Sequence, residues 1–315
     1  GYDHSDLATN GCVAYDYSLQ QEVLFMTIPL CLLADSPMAA EFTNTPIPGS
    51  SNNPCRICHL QCPQGDVRST LTYMEFFFGH PQLPECRKWS ETISRTQELW
   101  KISQEKTHNE FERMHKEYGL RDKINFELID LKNKRYDEQL RIIKLIQETP
   151  TRIYNPMLQI KSFHGFKDNP SEVLHVVLLG IVKYLTTDFM KKLPNSQLSE
   201  LEARWWAFQC EGLSMAPIQP KYMVTHYGSF IGKEYRMVLQ AAPFVMFPFM
   251  NSEMKQVWEP LCYLGSMALQ KHIYDMDLFI QKLEGHIRNF MYHIAKMSGR
   301  WANKPKFHMV LHLPY

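Results

Sequence analysis

Residues Leu32 to Cys62 read LLADSPMAAEFTNTPIPGSSNNPCRICHLQC, and the fold turns on how this stretch is parsed. An apolar run ends at the acid Asp35. Ser36 and Pro37 then open a short helix over about 37–42, because Asp or Ser suits the cap and Pro suits the first helical position. After a loop of Pro, Ser, Asn and Gly comes Cys55-x-x-Cys58. A carboxylate at the end of a strand, followed by a paired-thiol turn, is the pattern of a metal-dependent or zinc-braced site.

Upstream, residues 1–21 are polar and read as a loop-rich entry. Glu22 to Ala34 (EVLFMTIPLCLLA) is apolar and partly β-branched, which predicts one buried strand with a bulge or bend at Pro29. Downstream, Ser69 to Phe78 opens on a capping hydroxyl and closes at Gly79, so a helix is expected, with a strand as the aromatic-rich alternative. From Cys86 to Tyr118 the residues Trp89, Ile93, Thr96, Trp100, Ser103, Thr107, Phe111, Met114 and Tyr118 recur at steps of three and four. That stripe predicts one long helix ended by Gly119. A second helix is expected from about 121 to 147, with Ile124, Leu128, Leu131, Leu140, Ile143 and Ile146 inward, making an antiparallel hairpin. Residues 86–147 hold 14 Lys/Arg against 11 Asp/Glu, a net of +3 from mixed signs, which reads as a solvated helix face rather than a DNA-binding arm.

Residues 149–170, punctuated by Pro150, Pro156, Gly165 and Pro170, read as a linker. Ser171 then caps a helix from Glu172 to Lys191, whose core HVVLLGIVKYL is apolar on nearly every side and therefore central. A helix over 198–210 and three or four more over 220–297 follow, with Pro243, Pro248 and Pro260 kinking or interrupting them. The expected fold is mainly α with a small β portion near the start (α+β), divided as 1–85, 86–148 and 149–315.

Composition narrows the classes. A hydrophobic content of 44% belongs to a packed globular chain, and a net charge of +1 provides no overall basic field for nucleic acid. Of eight cysteines only 55, 58 and 62 cluster, which suits metal in a reducing compartment better than a disulfide framework. The longest apolar runs (23–34, 173–185 and 241–250) fall short of the roughly 18–20 residues a membrane span needs. No signal peptide is seen. The chain starts at Gly1 and stops inside the apolar phrase FHMVLHLPY, and it reads as a fragment of something longer.

Cys55 and Cys58 supply half of a tetrahedral zinc site, since two intervening residues let both thiols address one ion. The other half is open. His59 and Cys62 are near in sequence, whereas Glu172-x-x-His175 places a carboxylate and an imidazole on one helix face. The plainer alternatives are unligated loop thiols and a core histidine. Cys55-Arg-Ile-Cys58-His59 matches the haem-attachment pattern, which the missing secretion signal argues against. His308 and His312 have a metal-capable i, i+4 spacing, yet their apolar neighbours make them core residues by expectation. Asp35 reads either as a helix cap or as a metal-binding catalytic carboxylate. No phosphate-binding glycine loop, nucleophile elbow or kinase set appears.

The runs LADSPMAAEFTNTP…NPCRIC, EVLHVVLLGIVKYL, IQPKYMVTHYGSFIGKEYRMVLQAAPFVMFPF and NKPKFHMVLHLP together resemble fungal (basidiomycete) transposon-derived proteins near the Kyakuja–Dileera–Zisupton and CACTA-like DDE transposases. The resemblance implies an RNase H-like core with a large helical insertion. It also implies three acids holding two Mg²⁺ or Mn²⁺ ions for DNA strand cleavage and transfer, and a nuclear or nucleo-cytoplasmic, non-secreted protein with DNA as partner. Neither a membrane nor a small-molecule substrate is implied. Asp35 occupies the place of the second catalytic acid, and Cys55 and Cys58 match the family's Cys-x-x-Cys. Glu172-x-x-His175 sits where the family carries a Cys- or Asp-x-x-His element, so Glu172 is a departure. The remaining catalytic Asp and Glu are expected before Gly1 and after Tyr315. The reading is therefore a truncated, inactive DDE-type transposase segment with structural zinc on Cys55, Cys58, Glu172 and His175. The alternative is a non-catalytic, zinc-braced helical interaction protein.

Overall fold

Asp16 folds its carboxylate back on the chain, Oδ1 accepting from Ser18 N–H at 2.8 Å and Leu19 N–H at 3.0 Å, and Gln20 takes a left-handed φ of 53°. This turn joins β1 (Cys12–Asp16) to β2 (Gln21–Phe25), antiparallel, with Cys12 opposite Phe25 and Asp16 opposite Gln21. The computed structural model describes residues 7, 10–26, 31–62, 66–123, 126, 135–148, 154–160 and 163–315. Among these residues the fold is mainly helical, and its sheet is this one two-stranded hairpin. The single buried strand expected over 22–34 is thus corrected. Pairing ends at Phe25, and residues 31–35 have no regular structure. Leu24 and Phe25 are exposed. Apolar content marked the run as buried, but its pairing partner is the segment 12–16, which composition had assigned to a loop. Pro29 lies outside the described residues.

Two compact units make up the chain, each from two discontinuous stretches: Gly1–Gln61 with Glu85–Pro170, and Cys62–Pro84 with Ser171–Tyr315. In the first, α1 (Ser36–Phe42) starts where Asp35 Oδ1 accepts from Met38 N–H at 2.9 Å, with proline in its first turn. In the second, α2 (Leu71–Phe78) is capped by Thr70 and ends at Gly79 in the left-handed region, so the helical reading of this stretch holds.

The long helix expected over 86–118 is two helices, α3 (Trp89–Glu105) and α4 (His108–Tyr118). Thr107 breaks the run, because its hydroxyl accepts from Glu110 N–H at 3.3 Å and caps a new helix. The expected stripe holds in part: Phe111 is buried, with Met114 and Tyr118 packed near it, but its buried partners are Leu99 and Leu120 rather than Trp100 and Thr107, and Thr107 is exposed. Gly119 ends α4 at φ 60°, and a Cβ there would meet Asn53 Oδ1 at 2.6 Å. Of the expected second helix, α5 (Tyr136–Glu148) is described and buries no residue. Ile124, Leu128 and Leu131, and with them the hairpin, lie outside the described residues.

The segment expected to be a linker belongs to the core of the first unit. Trp89 packs edge-on against Phe163 and Phe166. Asn155 is buried, its backbone N–H donating to Asp122 Oδ2 at 2.8 Å and its side chain to Asn44 Oδ1 at 2.6 Å. Prolines set the local bends here, while aromatic burial sets the position.

In the second unit the apolar run 174–182 is wound as a π-helix and continues as α6 (Lys183–Lys192). Val177, Ile181 and Val182 are fully buried, as an all-round apolar helix requires. Its cap is the Glu172 carboxylate, which accepts from Leu174 N–H at 2.8 Å and His175 N–H at 2.9 Å. Then come α7 (Asn195–Ala207), α8 (Pro220–Thr225), α9 (Gly232–Val245), α10 (Ser252–Ala268), α11 (Met276–Met297) and α12 (Pro305–Met309). Helices α9 and α12 pack on the π-helical stretch, and α10 packs on α9 and α11. At one crossing a Cβ on Gly265 would lie 2.1 Å from Leu239, so α10 approaches α9 as only glycine permits. Pro243 and Pro260 sit inside α9 and α10 without ending them. No described helix is long and apolar enough to cross a membrane.

Candidate metal centre

Cys55 and Cys58 are fully buried in a tight turn. Cys55 Sγ accepts from Ile57 N–H at 3.3 Å and Cys58 N–H at 3.4 Å, so the turn aims backbone donors at one sulfur, as a thiolate ligand needs. Two buried arginines hold the turn. The Arg56 guanidinium donates to the carbonyls of Asn169 at 2.5 Å and Pro170 at 2.8 Å. Arg87 donates from Nε to the Cys58 carbonyl at 3.1 Å and from a terminal nitrogen to the Tyr118 carbonyl at 3.2 Å. Burial lowers Arg56 to about 10, with Cys55 pulling the other way, so the guanidinium keeps its charge at neutral pH. Burial first, and then the neighbouring Cys55, push the Cys58 thiol well above its ordinary range. A cation that takes the Cys58 sulfur must displace its proton.

His308 and His312 lie one turn apart, at α12 and the 3₁₀ turn that follows it, and both are buried. His308 Nδ1 lies 2.8 Å from the Phe77 carbonyl, which fixes Nδ1 as its N–H and leaves Nε2 as a lone-pair donor. Nε2 of His312 is 3.3 Å from Nε2 of His308. Two zinc–nitrogen bonds of about 2.05 Å at a tetrahedral angle subtend about that separation.

One ligand atom each from Cys55, Cys58, His308 and His312 lie within 4.8 Å of one another, all four residues buried. This group can hold a metal ion, and two sulfurs with two imidazole nitrogens are a donor set that suits structural zinc. It is the one such group of three or more among the described residues.

Of the residues picked out in the sequence, Cys55 and Cys58 are in this group. Glu172 and His175 are not. They contact each other through Glu172 Oε1 and His175 Nδ1, and the carboxylate caps the π-helix. Asp35 is the cap of α1 and is exposed. His59 faces Glu91 at 3.8 Å, and Cys62 is buried outside the group. The histidines that complete the group are His308 and His312, read in the sequence as core residues. They are buried, and their i, i+4 spacing was the signal that marked them as a pair. No family model matches the chain, and neither a curated protein nor a solved structure matches it.

Proposed function

We propose that Cys55, Cys58, His308 and His312 bind one zinc ion with a structural role, in an inactive DDE-type transposase segment that engages DNA. The observation that carries the zinc reading is the buried convergence of two sulfurs and two ring nitrogens within 4.8 Å. Four protein donors fill a tetrahedral shell and leave no position for a reactive water, which favours bracing over catalysis. The quoted sequence phrases support the transposase kinship, with its RNase H-like core, Mg²⁺ or Mn²⁺ chemistry and nuclear setting. Asp35 is the one catalytic acid the resemblance carries over, and a single carboxylate does not hold a metal pair. The chain is therefore expected not to cleave DNA. Mg²⁺-dependent cleavage that disappears in Asp35→Asn would overturn that part.

A basic strip in the second unit supports DNA as partner. Arg300 pairs with Asp188 at 2.7 Å, Lys304 lies 5.2 Å from the Tyr184 ring, and Lys306 sits against Gly180. Residues 300–306 thus run along the 180–192 helix, adding cations to the exposed Lys183, Lys191 and Lys192, with Asp188 as the acid among them. Such a strip matches a phosphodiester backbone. The competing reading, a zinc-braced module that binds protein, is favoured by the exposed apolar residues Leu140, Ile143 and Leu145 of α5.

Metal analysis of purified protein tests the centre. About one zinc per chain is expected, lost in Cys58→Ser and in His312→Ala, and kept in His175→Ala. Zinc that survives His308→Ala and His312→Ala would sink the assignment.

A further inference from the structure

Cys86 lies directly across from Cys58 in a single antiparallel bridge. His59 N–H donates to the Glu85 carbonyl at 2.9 Å and Arg87 N–H to the Ile57 carbonyl at 2.8 Å. Those two bonds flank the cysteines and make them a non-hydrogen-bonded pair. In such a pair the Cα atoms are about 4.5 Å apart, and both side chains leave on the same face. A disulfide needs a Cα separation of roughly 4.4–6.8 Å, so the bridge meets that requirement as it stands. The two thiols differ in access: Cys58 is buried and Cys86 is exposed. An oxidant in solution therefore meets Cys86 first, with Cys58 behind it as the resolving thiol.

We propose that Cys86 is an oxidation site for hydrogen peroxide, and that its oxidised form closes a disulfide to Cys58 and removes Cys58 from the Cys/His group. The disulfide follows from the bridge alone. Its consequence for the metal rests on the zinc reading above.

In the first step the Cys86 sulfur attacks a peroxide oxygen and the O–O bond breaks. A sulfenic acid forms, and the departing oxygen leaves as water with the thiol's proton. In the second step the Cys58 sulfur attacks the Cys86 sulfur. The S–S bond forms, the S–O bond breaks and the oxygen leaves as hydroxide. From two free thiols, two electrons and two protons go to one peroxide to give two waters. From a metal-bound Cys58 thiolate the products are one water, one hydroxide and the released cation. The remaining donors are then one sulfur and two nitrogens, too few to close the tetrahedral shell.

The test treats zinc-loaded protein with hydrogen peroxide, follows release with a chromogenic chelator, and maps disulfides by peptide mass without reduction. A Cys58–Cys86 linked peptide is expected. Release is expected to be about ten-fold slower in Cys86→Ser, with Cys31→Ser, another exposed cysteine, behaving as wild type. Dithiothreitol with added zinc restores the metal. A dominant Cys55–Cys58 disulfide, or equal release from Cys86→Ser, overturns the proposal. Should the protein carry no zinc, the mapping alone decides it, and failure to find the Cys58–Cys86 link overturns it.

Discussion

Arg87 joins the thiol turn to the end of α4, with one bond to the Cys58 carbonyl and one to the Tyr118 carbonyl. Burial lowers its pKa, yet a guanidinium remains charged, so its value lies in satisfying carbonyls that water does not reach. Arg87→Met is expected to cost about 2–3 kcal/mol in denaturant unfolding, because it leaves two acceptors without their charged donor. The neighbouring thiol makes a pH prediction. With the Cys58 pKa raised by burial, the metal-free folded state holds its proton to higher pH than the unfolded chain. That contribution is intact below the ordinary thiol value of 9.0 and is lost as pH rises beyond it. Metal-free protein should thus lose stability in alkali, whereas zinc affinity should rise with pH because binding expels thiol protons. Titrations with and without zinc would show both slopes. Equal alkaline loss in Cys58→Ser would assign the effect elsewhere.

At the scale of elements, caps and breakers decide where helices start and stop. Asp35, Thr70 and Thr107 each receive a backbone N–H in a first turn, and Gly79 and Gly119 end helices in the left-handed region. Gly119→Ala is expected to destabilise by about 1–2 kcal/mol from φ alone, and further through the contacts with Asn53 and Arg87. Thermal unfolding reads this directly, and a change within error would mean that the turn relaxes. On α6, Asp188 is partly buried, which raises its pKa, but the hydrogen bonds from Lys192 and Arg300 outweigh burial and leave it lowered. A lowered carboxyl contributes stability above its unfolded value and loses it as pH falls through the folded one. Asp188→Asn should therefore cost up to about 1 kcal/mol at neutral pH and nothing in strong acid. The helix periods, Gly79 and Gly119 were legible in the sequence because they are local. The Thr107 break was not, since a threonine inside a continuous stripe reads as one more stripe position until its hydroxyl is seen capping Glu110.

For the whole molecule, removal of the proposed zinc is the decisive perturbation. A ligand held at about a thousand times its Kd adds about 4 kcal/mol to the state that binds it, so a strong chelator should lower the melting temperature and zinc should restore it. A melting profile indifferent to chelation would strip the centre of its bracing role. What the sequence determined by itself was the helical class, most helix positions, the start of a short helix just after Asp35 and the thiol pair at 55 and 58, all of which follow from spacing and propensity within a few residues. Tertiary structure decided the hairpin partner of residues 21–25, the burial of Phe163 and Phe166 in an apparent linker, and which histidines stand near the thiol pair. Glu172 and His175 have ligand-like spacing but spend it on a helix cap. His308 and His312 look like core residues, and about 250 positions separate them from Cys58, yet their nitrogens gather with its sulfur. Periodicity registers neighbours along a helix, while a metal site needs donors that only long-range packing brings within bonding reach.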